Sequence, residues 1–436
     1  MGTQRPPSSI LVVGSGVFGL STALALANDA SYKHTRITLL DRLPFPPPDI
    51  SSIDTSRIIR PDYADPAYSQ LAAEAQTLWR NSEWGAEGRY TESGLVLTSE
   101  KGKHDYVKSS LDNVRRLESK EGNLRIQELK NRVEVEETVR IGGGSGDWGY
   151  VNWNSGWANA EAAMIFARQK LEKSGRVDCR LGEVKRLLIR DGCRVEGVEL
   201  AQGGKITAEL VVLATGAWTA KFVDLQGRAE STGQVLAYID ITDEEQKRLE
   251  KMPVLLNMST GMFIIPPREN LLKVARHGYG YTNPTRIPHP EKDGSFVRVS
   301  VPRTHVDAPE QWIPKEGEDA CRKALKEMIP ALGDRPWKMT RICWYTDTPK
   351  GDFLITYHPQ YEGLFLATGG SGHGFKFLPV IGEKIVQAIR RNTPKEFKEK
   401  WAWPKPTSGP VVTEDGSRGD RKGMVLDEEL RKGSRL

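Results

Sequence analysis

The chain has 436 residues, 38% of them hydrophobic and 27% charged, with a formal net charge of +5 spread along its length. That length suits two domains, and without a basic block or an apolar run near ~20 residues the composition argues against a nucleic-acid surface and a membrane span. Four scattered cysteines, Cys179, Cys193, Cys321 and Cys343, show neither metal spacing nor a disulfide framework and fit a reducing compartment; the start of the chain lacks the pattern of a secretory signal.

The first apolar run, Ile10–Val13, reads as a buried strand that ends on glycine. Gly14, Ser15, Gly16, Val17, Phe18 and Gly19 then form a G-x-G-x-x-G turn. Leu20–Ala27 reads as an Ala/Leu-rich helix and Ile37–Leu40 as a second strand ending on Asp41. Strand, glycine turn, helix, strand and acid follow the order a dinucleotide site needs. Gly14 permits the tight turn. Gly16 lets a pyrophosphate approach the backbone, where N–H groups at the helix start meet its charge. Gly19 lets helix and strand pack closely, and Asp41 can accept hydrogen bonds from ribose hydroxyls. The motif alone does not choose between NAD and FAD.

A proline-rich loop (LPFPPPDISS) follows, which can be neither helix nor central strand. Arg57 and Arg60 flank two apolar residues and would share a face if the segment were helical, ahead of a helix from Tyr68 to Trp79. From about Glu87 the pattern changes to a hairpin-like stretch (YTESGLVLTS) and a charged helical region from His104 to Arg132. Next to a flexible loop at Gly142–Gly146 stand Trp148, Tyr150, Trp153 and Trp157, which suit either a pocket lining or packing between domains. Asn159–Lys173 reads as an amphipathic helix and Val184–Leu200 as a hairpin turning at Asp191-Gly192. The apolar strand Leu210–Leu213 runs into Ala214-Thr215-Gly216-Ala217-Trp218, a second nucleotide-fold signature of FAD enzymes.

The block from Arg228 to Trp337 alternates like antiparallel strands and contains one helix, KEGEDACRKALKEMIP. The apolar strand LFLATGG then leads to Ser371-Gly372-His373-Gly374-Phe375-Lys376. A helix is expected to start between Gly374 and Leu378 and run to Arg391, so that its N-terminus can stabilise negative charge on a flavin. From Trp401 the chain reads as a peripheral tail, exposed and mobile near its end. Ser434-Arg435-Leu436 is a conservative variant of the S-K-L peroxisomal address.

Taken together, the glycine turn, TSRIIR at Thr55–Arg60, ATGAW, LKVARH at Leu272–His277, CWYTDTP at Cys343–Pro349 and GGSGHGFK at Gly369–Lys376 resemble the flavin-dependent sarcosine oxidase and amadoriase (fructosyl-amino-acid oxidase) family, in its fungal branch with saccharopine- and pipecolate-oxidase-like members. The resemblance spans roughly Ile10 to Arg391. It implies an α/β FAD-binding Rossmann-like domain with a second α+β substrate domain built on an antiparallel sheet, as in D-amino-acid oxidase and sarcosine oxidase. The expected division is FAD-binding at 1–86, 152–227 and 340–395, substrate-binding at 87–151 and 228–339, and a tail at 396–436.

The resemblance further implies FAD held by an 8α-thioether to Cys343, with contacts at Gly14, Gly16, Val17, Phe18, Gly19, Asp41, Arg42, Ser56, Arg57, Val184, Ala214, Gly216, Gly372, Gly374, Phe375 and Lys376. Lys273 matches the oxygen-activating lysine, Arg60 and Lys376 the pair that grips a carboxylate, and Arg57 a residue near the flavin ring. His277 and Tyr345 match residues on the substrate's amine side. Deglycating members carry an acid near the place of His277 and a cysteine at that of Tyr345, so this chain resembles sarcosine or pipecolate oxidases there. The implied reaction oxidises the C–N bond of a secondary amine or N-substituted amino acid, of the saccharopine, pipecolate, sarcosine or fructosyl-amino-acid type, with O2 to imine and H2O2. An oxidative cyclase, a flavin dehydrogenase and a non-enzymatic flavin scaffold are the alternatives. Expected partners are the small amine, dioxygen and a peroxisomal import receptor, for a monomer that is peroxisomal or otherwise cytoplasmic and binds neither nucleic acid nor membrane.

Overall fold

The computed structural model describes residues 5–121, 125–309, 313–419 and 421–433. Its first strand, Ser9–Val13, lies inside a six-stranded sheet ordered Leu354–Tyr357, Leu364–Thr368, Leu210–Leu213, Ser9–Val13, Arg36–Asp41, Val177–Leu181. All neighbours pair in parallel except the first two. Unbroken apolar strands without alternation suit a sheet covered on both faces. Ile10, Val12, Leu210 and Val212 pack into a core with the helices Val17–Asn28, Ala160–Lys173 and Ile381–Ile389. Leu11, Val13, Val211 and Leu213 face the opposite way, against a three-stranded sheet at Val184–Arg190, Arg194–Leu200 and Lys205–Thr207. Each such side chain sealed from water contributes about 1.5–3 kcal/mol.

The second layer is a ten-stranded sheet, antiparallel except for the pairings Leu95–Ser99 with Val254–Asn257 and Tyr281–Thr282 with Met424–Val425. Three strands at its centre carry the chemistry. Glu230–Asp240 pairs with Leu271–Arg276 on one side and with Met339–Asp347 on the other. Side chains alternate across a strand, so directly paired residues share a face. One face bears Val235, Ala237, Ile239, Leu272, Val274, Ile342 and Trp344 and packs under the helix Lys315–Met328. The other bears Leu236, Tyr238, Lys273, Ala275, Arg341, Cys343 and Tyr345 and looks toward the first layer.

Several local expectations change. Arg57 lies on a strand, Arg57–Ile59, paired with Gly156–Ala158, because β-branched Ile58 and Ile59 find a pairing partner there. Arg57 and Arg60 therefore do not share a helical face. The charged region after His104 is not one helix: it divides into helix Asp105–Glu121, strand Ile126–Leu129 and helix Arg132–Val139. No α-helix starts at Gly374. Phe375–Phe377 makes a single 3-10 turn, and the helix begins at Ile381, beyond Pro379, which has no N–H to continue the hydrogen-bond ladder. The stretch after Trp401 is not a peripheral tail. Trp401 is fully buried, Met424–Val425 adds an edge strand to the large sheet, and helix Leu426–Gly433 buries Leu426 in the core beside the helix Lys315–Met328. Ser434-Arg435-Leu436 lie outside the described residues.

Candidate active site

The glycine turn stands where the sequence places it. Gly14 has φ +101°, and a Cβ there would fall 2.5 Å from the carbonyl oxygen of Ala214, so only glycine lets the first strand turn against the ATGAW segment. Asp41 Oδ2 accepts from Ser15 N and Ser15 Oγ, both at 2.6 Å, which ties the turn to the tip of the neighbouring strand. Helix Val17–Asn28 has Gly16 at its N-cap and no side-chain cap, and Val17 N donates to Ser52 Oγ at 3.1 Å. The Arg42 guanidinium pairs with Asp49 and lies over the Trp218 ring, 5.1 Å from its centre.

These groups line one wall of the larger cavity. It continues past Val184 and Ala214–Trp218 to Trp344–Thr346 and Gly370, Gly372, Gly374 and Phe375. A smaller cavity lies between the two layers, and Arg57, Tyr345, Gly372 and Phe375 border both. Gly372 is held to its type here: φ is +69° and a Cβ would sit 2.3 Å from the Tyr345 ring. Ser56, Arg60, Lys273, His277, Cys343, His373 and Lys376 line the smaller cavity alone. Val17, Phe18 and Asp41 line only the larger one, and Gly19 lies beneath it, where a Cβ would meet the Gly14 carbonyl at 1.8 Å. The aromatic cluster Trp148, Tyr150, Trp153 and Trp157 borders neither.

Two buried cations, Arg60 and Lys376, line the smaller cavity, and both lie against the Tyr63 ring. Arg60 stacks over the Tyr63 ring at 4.9 Å, and its Nη1 has no hydrogen-bond partner. Its loop is pinned by Asp62, whose carboxylate accepts from Tyr150 at 2.9 Å, Asn152 at 3.2 Å and Ser155 at 2.7 Å. Lys376 Nζ donates to the Tyr63 hydroxyl at 2.7 Å and to His373 O at 2.9 Å. The helix Pro66–Asn81, capped by Asp65, fixes this turn by a 2.7 Å hydrogen bond from Trp79 Nε1 to Lys376 O. Burial, then the neighbouring Arg60 charge, holds the Lys376 ammonium well below its ordinary value.

On the sheet face, Lys273 is buried and paired rather than reaching for solvent. Arg57 Nη2 donates to Ser51 O at 2.6 Å and lies 3.7 Å from Cys343 Sγ. The half-buried His277 lies with its ring centre 5.8 Å from that of Tyr345. Burial, then the Arg418 guanidinium, holds its imidazole well below the usual range, so it is neutral at physiological pH.

Residues 9–388 match the family model described as FAD dependent oxidoreductase. The chain belongs to that family. It is 32% identical over 88% of its length, and 93% of the relative's, to the amino acid oxidase imqH of Aspergillus flavus. It is 31% identical to the L-saccharopine oxidase of Schizosaccharomyces pombe, covering 91% of this chain and 93% of that one. Among solved structures it is similar to a modified fructosyl peptide oxidase from Aspergillus nidulans, with a TM-score of 0.85 and 30% identity over 98% of this chain and 99% of that one. An FAD-dependent oxidoreductase needs a dinucleotide cradle that opens onto a substrate space, and the residues fit that need. The larger cavity begins at Gly14 and Asp41, where a glycine-rich turn meets the start of a helix whose N-cap residue, Gly16, offers no side-chain cap, and ends at the four residues it shares with the smaller cavity.

Residues that no motif announces also stand behind the cavity linings. Arg418, from the segment after Trp401, reaches 3.0 Å from His277 Nδ1 and 2.9 Å from Ser371 O. Buried Asp54 and Tyr63 and half-buried Arg341 add further polar groups. The charged, unpatterned C-terminal stretch holds no cue for Arg418, whereas Asp54 lies three residues before Arg57, next to the TSRIIR motif.

Proposed function

We propose that this FAD-dependent oxidoreductase oxidises the C–N bond of a secondary-amine amino acid and passes the electrons to dioxygen. The observation that carries the reading is the pair of buried cations, Arg60 with a free Nη1 and Lys376, facing one small cavity beside the junction with the dinucleotide cradle. A carboxylate is the group two such cations hold, and a guanidinium can do so with two parallel hydrogen bonds. Held there, the amine end of the substrate faces Tyr345 and neutral His277, whose acceptor nitrogen already takes a hydrogen bond from Arg418 Nη1. The absence of an acidic side chain at that place favours a saccharopine-, pipecolate- or sarcosine-type substrate over a fructosyl amino acid.

Gly14, Gly16, Val17, Phe18, Asp41, Arg42, Val184, Ala214, Gly216, Gly374 and Phe375 would hold the dinucleotide. Cys343, 3.7 Å from Arg57, is the residue that would carry an 8α-thioether. Bound FAD supplies the acceptance of two electrons and their return to dioxygen. The substrate loses two electrons and two protons and leaves as imine; dioxygen takes both and leaves as hydrogen peroxide. Lys273 supplies positive charge where oxygen becomes reduced. Delivery to peroxisomes through Ser434-Arg435-Leu436 suits a peroxide-forming enzyme, and the domain division given above belongs to the same reading. Scoring a panel of secondary amino acids for peroxide release and for anaerobic bleaching of the yellow colour tests it. Bleaching with saccharopine, pipecolate or sarcosine is expected. Bleaching without oxygen uptake would make it a dehydrogenase, and no bleaching with any carboxylated amine would sink it.

A further inference from the structure

Lys273 belongs to a cluster organised around a carboxylate that the reading above leaves without a role. Asp54 precedes the strand Arg57–Ile59 and is buried. Its Oδ2 accepts from Lys273 Nζ at 3.0 Å and from Arg57 Nη1, while its Oδ1 accepts from the Tyr238 hydroxyl at 2.7 Å and from Thr55 N at 2.7 Å. Lys273 Nζ also donates to Ser56 O at 2.6 Å. The sheet builds this arrangement. Tyr238 and Lys273 are directly paired across adjacent strands and so share a face. Arg341, on the strand beyond, shares it too and donates to Ile53 O at 3.1 Å, which holds the Asp54 loop down.

One carboxylate therefore faces three cations in a place with little water. Arginine keeps its proton there, whereas a buried lysine without a counter-ion sheds it. We propose that Asp54 is a positioning residue: its carboxylate keeps Lys273 as an ammonium ion and, together with Ser56 O, aims Nζ at the cavity where dioxygen is reduced. This rests on the reading of Lys273 as the group that favours oxygen reduction.

The groups facing Lys273 are Asp54 from the loop, Arg57 from the short strand that follows it, Tyr238 from one adjoining strand and Arg341 from the strand beyond. The other adjoining strand presents apolar Phe263 and Ile265. Burial presses Lys273 down to about 8 with Asp54 opposing it, and Arg57 and Arg341 press the same way as burial. Removing Asp54 lowers it further, and removing Arg341 raises it.

The test uses the holoenzyme with Asp54→Asn, Arg341→Gln, Lys273→Met and the double change D54N/K273M. Reoxidation of the reduced enzyme is followed by stopped flow across pH, and the unfolding midpoint by calorimetry across the same range. In D54N the alkaline fall in reoxidation moves by about one pH unit or more toward acid; in R341Q it moves toward base. Opposite shifts are not what a merely loosened fold produces.

The calorimetric reading has its own sign. With the folded value of Lys273 below the unfolded one, the unfolded chain binds more protons in between, and stability rises with pH across that window. In D54N the window opens lower, so its deficit against wild type shrinks between about pH 6 and 8; in the Lys273→Met background the same change leaves no such pH-dependent part. If K273M reoxidises like wild type, the reading of Lys273 fails. If K273M is slow while D54N and R341Q keep wild-type profiles and midpoint curves, the proposal for Asp54 is overturned. Should D54N not fold, R341Q decides alone: a basic shift supports the proposal and an unmoved profile overturns it.

Discussion

Arg418 Nη2 lies 2.5 Å from Asp347 Oδ1, and this contact joins the C-terminal segment to the sheet face that carries Tyr345. Both side chains are buried, and burial holds the Asp347 carboxyl above its ordinary value even beside Arg418. Removing the arginine leaves an uncompensated carboxylate. Arg418→Ala is expected to cost about 3–5 kcal/mol of stability at neutral pH. A carboxyl whose folded value is raised favours the fold in its protonated form, so part of the loss returns on acidification toward that value. Melting midpoints of the variant and the wild type from pH 5 to 8 measure both; a deficit independent of pH refutes the account. Because Arg418 also depresses His277, the acid limb of substrate oxidation should move to higher pH in the same variant.

Arg60→Ala removes one of the two cations of the carboxylate grip. If the pair is desolvated as its burial indicates, apparent substrate affinity falls by about 2–5 kcal/mol while bound flavin is retained. Anaerobic spectral titration reads the binding step separately from turnover. Unchanged affinity would move the carboxylate elsewhere in the cavity.

Lys376 makes the same grip dependent on pH. Its ammonium is pressed well below its ordinary value, so substrate affinity should decline as pH rises through its titration. The Tyr63 hydroxyl accepts a 2.7 Å hydrogen bond from Nζ and so favours the charged form. Tyr63→Phe should begin that decline at lower pH and weaken binding by about 1–3 kcal/mol. Equilibrium titrations at several pH values check this, and an identical pH profile in the two proteins would count against it.

Cys343→Ala should leave flavin extractable by acid, whereas the wild-type flavin stays with the precipitated chain and fluoresces with it on a denaturing gel. Yellow supernatant from acid-treated wild type would remove the proposed thioether.

Much of this site was legible because its parts are local. Strand, glycine turn and Asp41 are adjacent in sequence, and the G-x-G-x-x-G spacing has only a few steric solutions. ATGAW and GGSGHGFK follow the same logic, since glycines stand where backbone must pass close to a partner, as at Gly372 against Tyr345. The period of two in LKVARH and RICWYTD already places Lys273, Ala275 and His277, and Arg341, Cys343 and Tyr345, on common faces. Whether Arg57 and Arg60 share a face is open in the sequence, because two isoleucines between arginines fit a helix or a strand equally well until a pairing partner is known. Pro379 was a visible reason to start the following helix later.

By itself the sequence determined the dinucleotide cradle, because that depends on short-range sterics, while the resemblance carried by its motifs implied the two-domain architecture and most of the groups around the cavities. Only the tertiary structure decided which charges meet. Asp54 reaches Lys273 across 219 residues, Tyr63 reaches Lys376 across 313, and Arg418 reaches His277 across 141. Such pairings depend on which strands become neighbours and how the last segment threads back. Local propensity carries no term for either, and burial makes each pairing decisive once it forms.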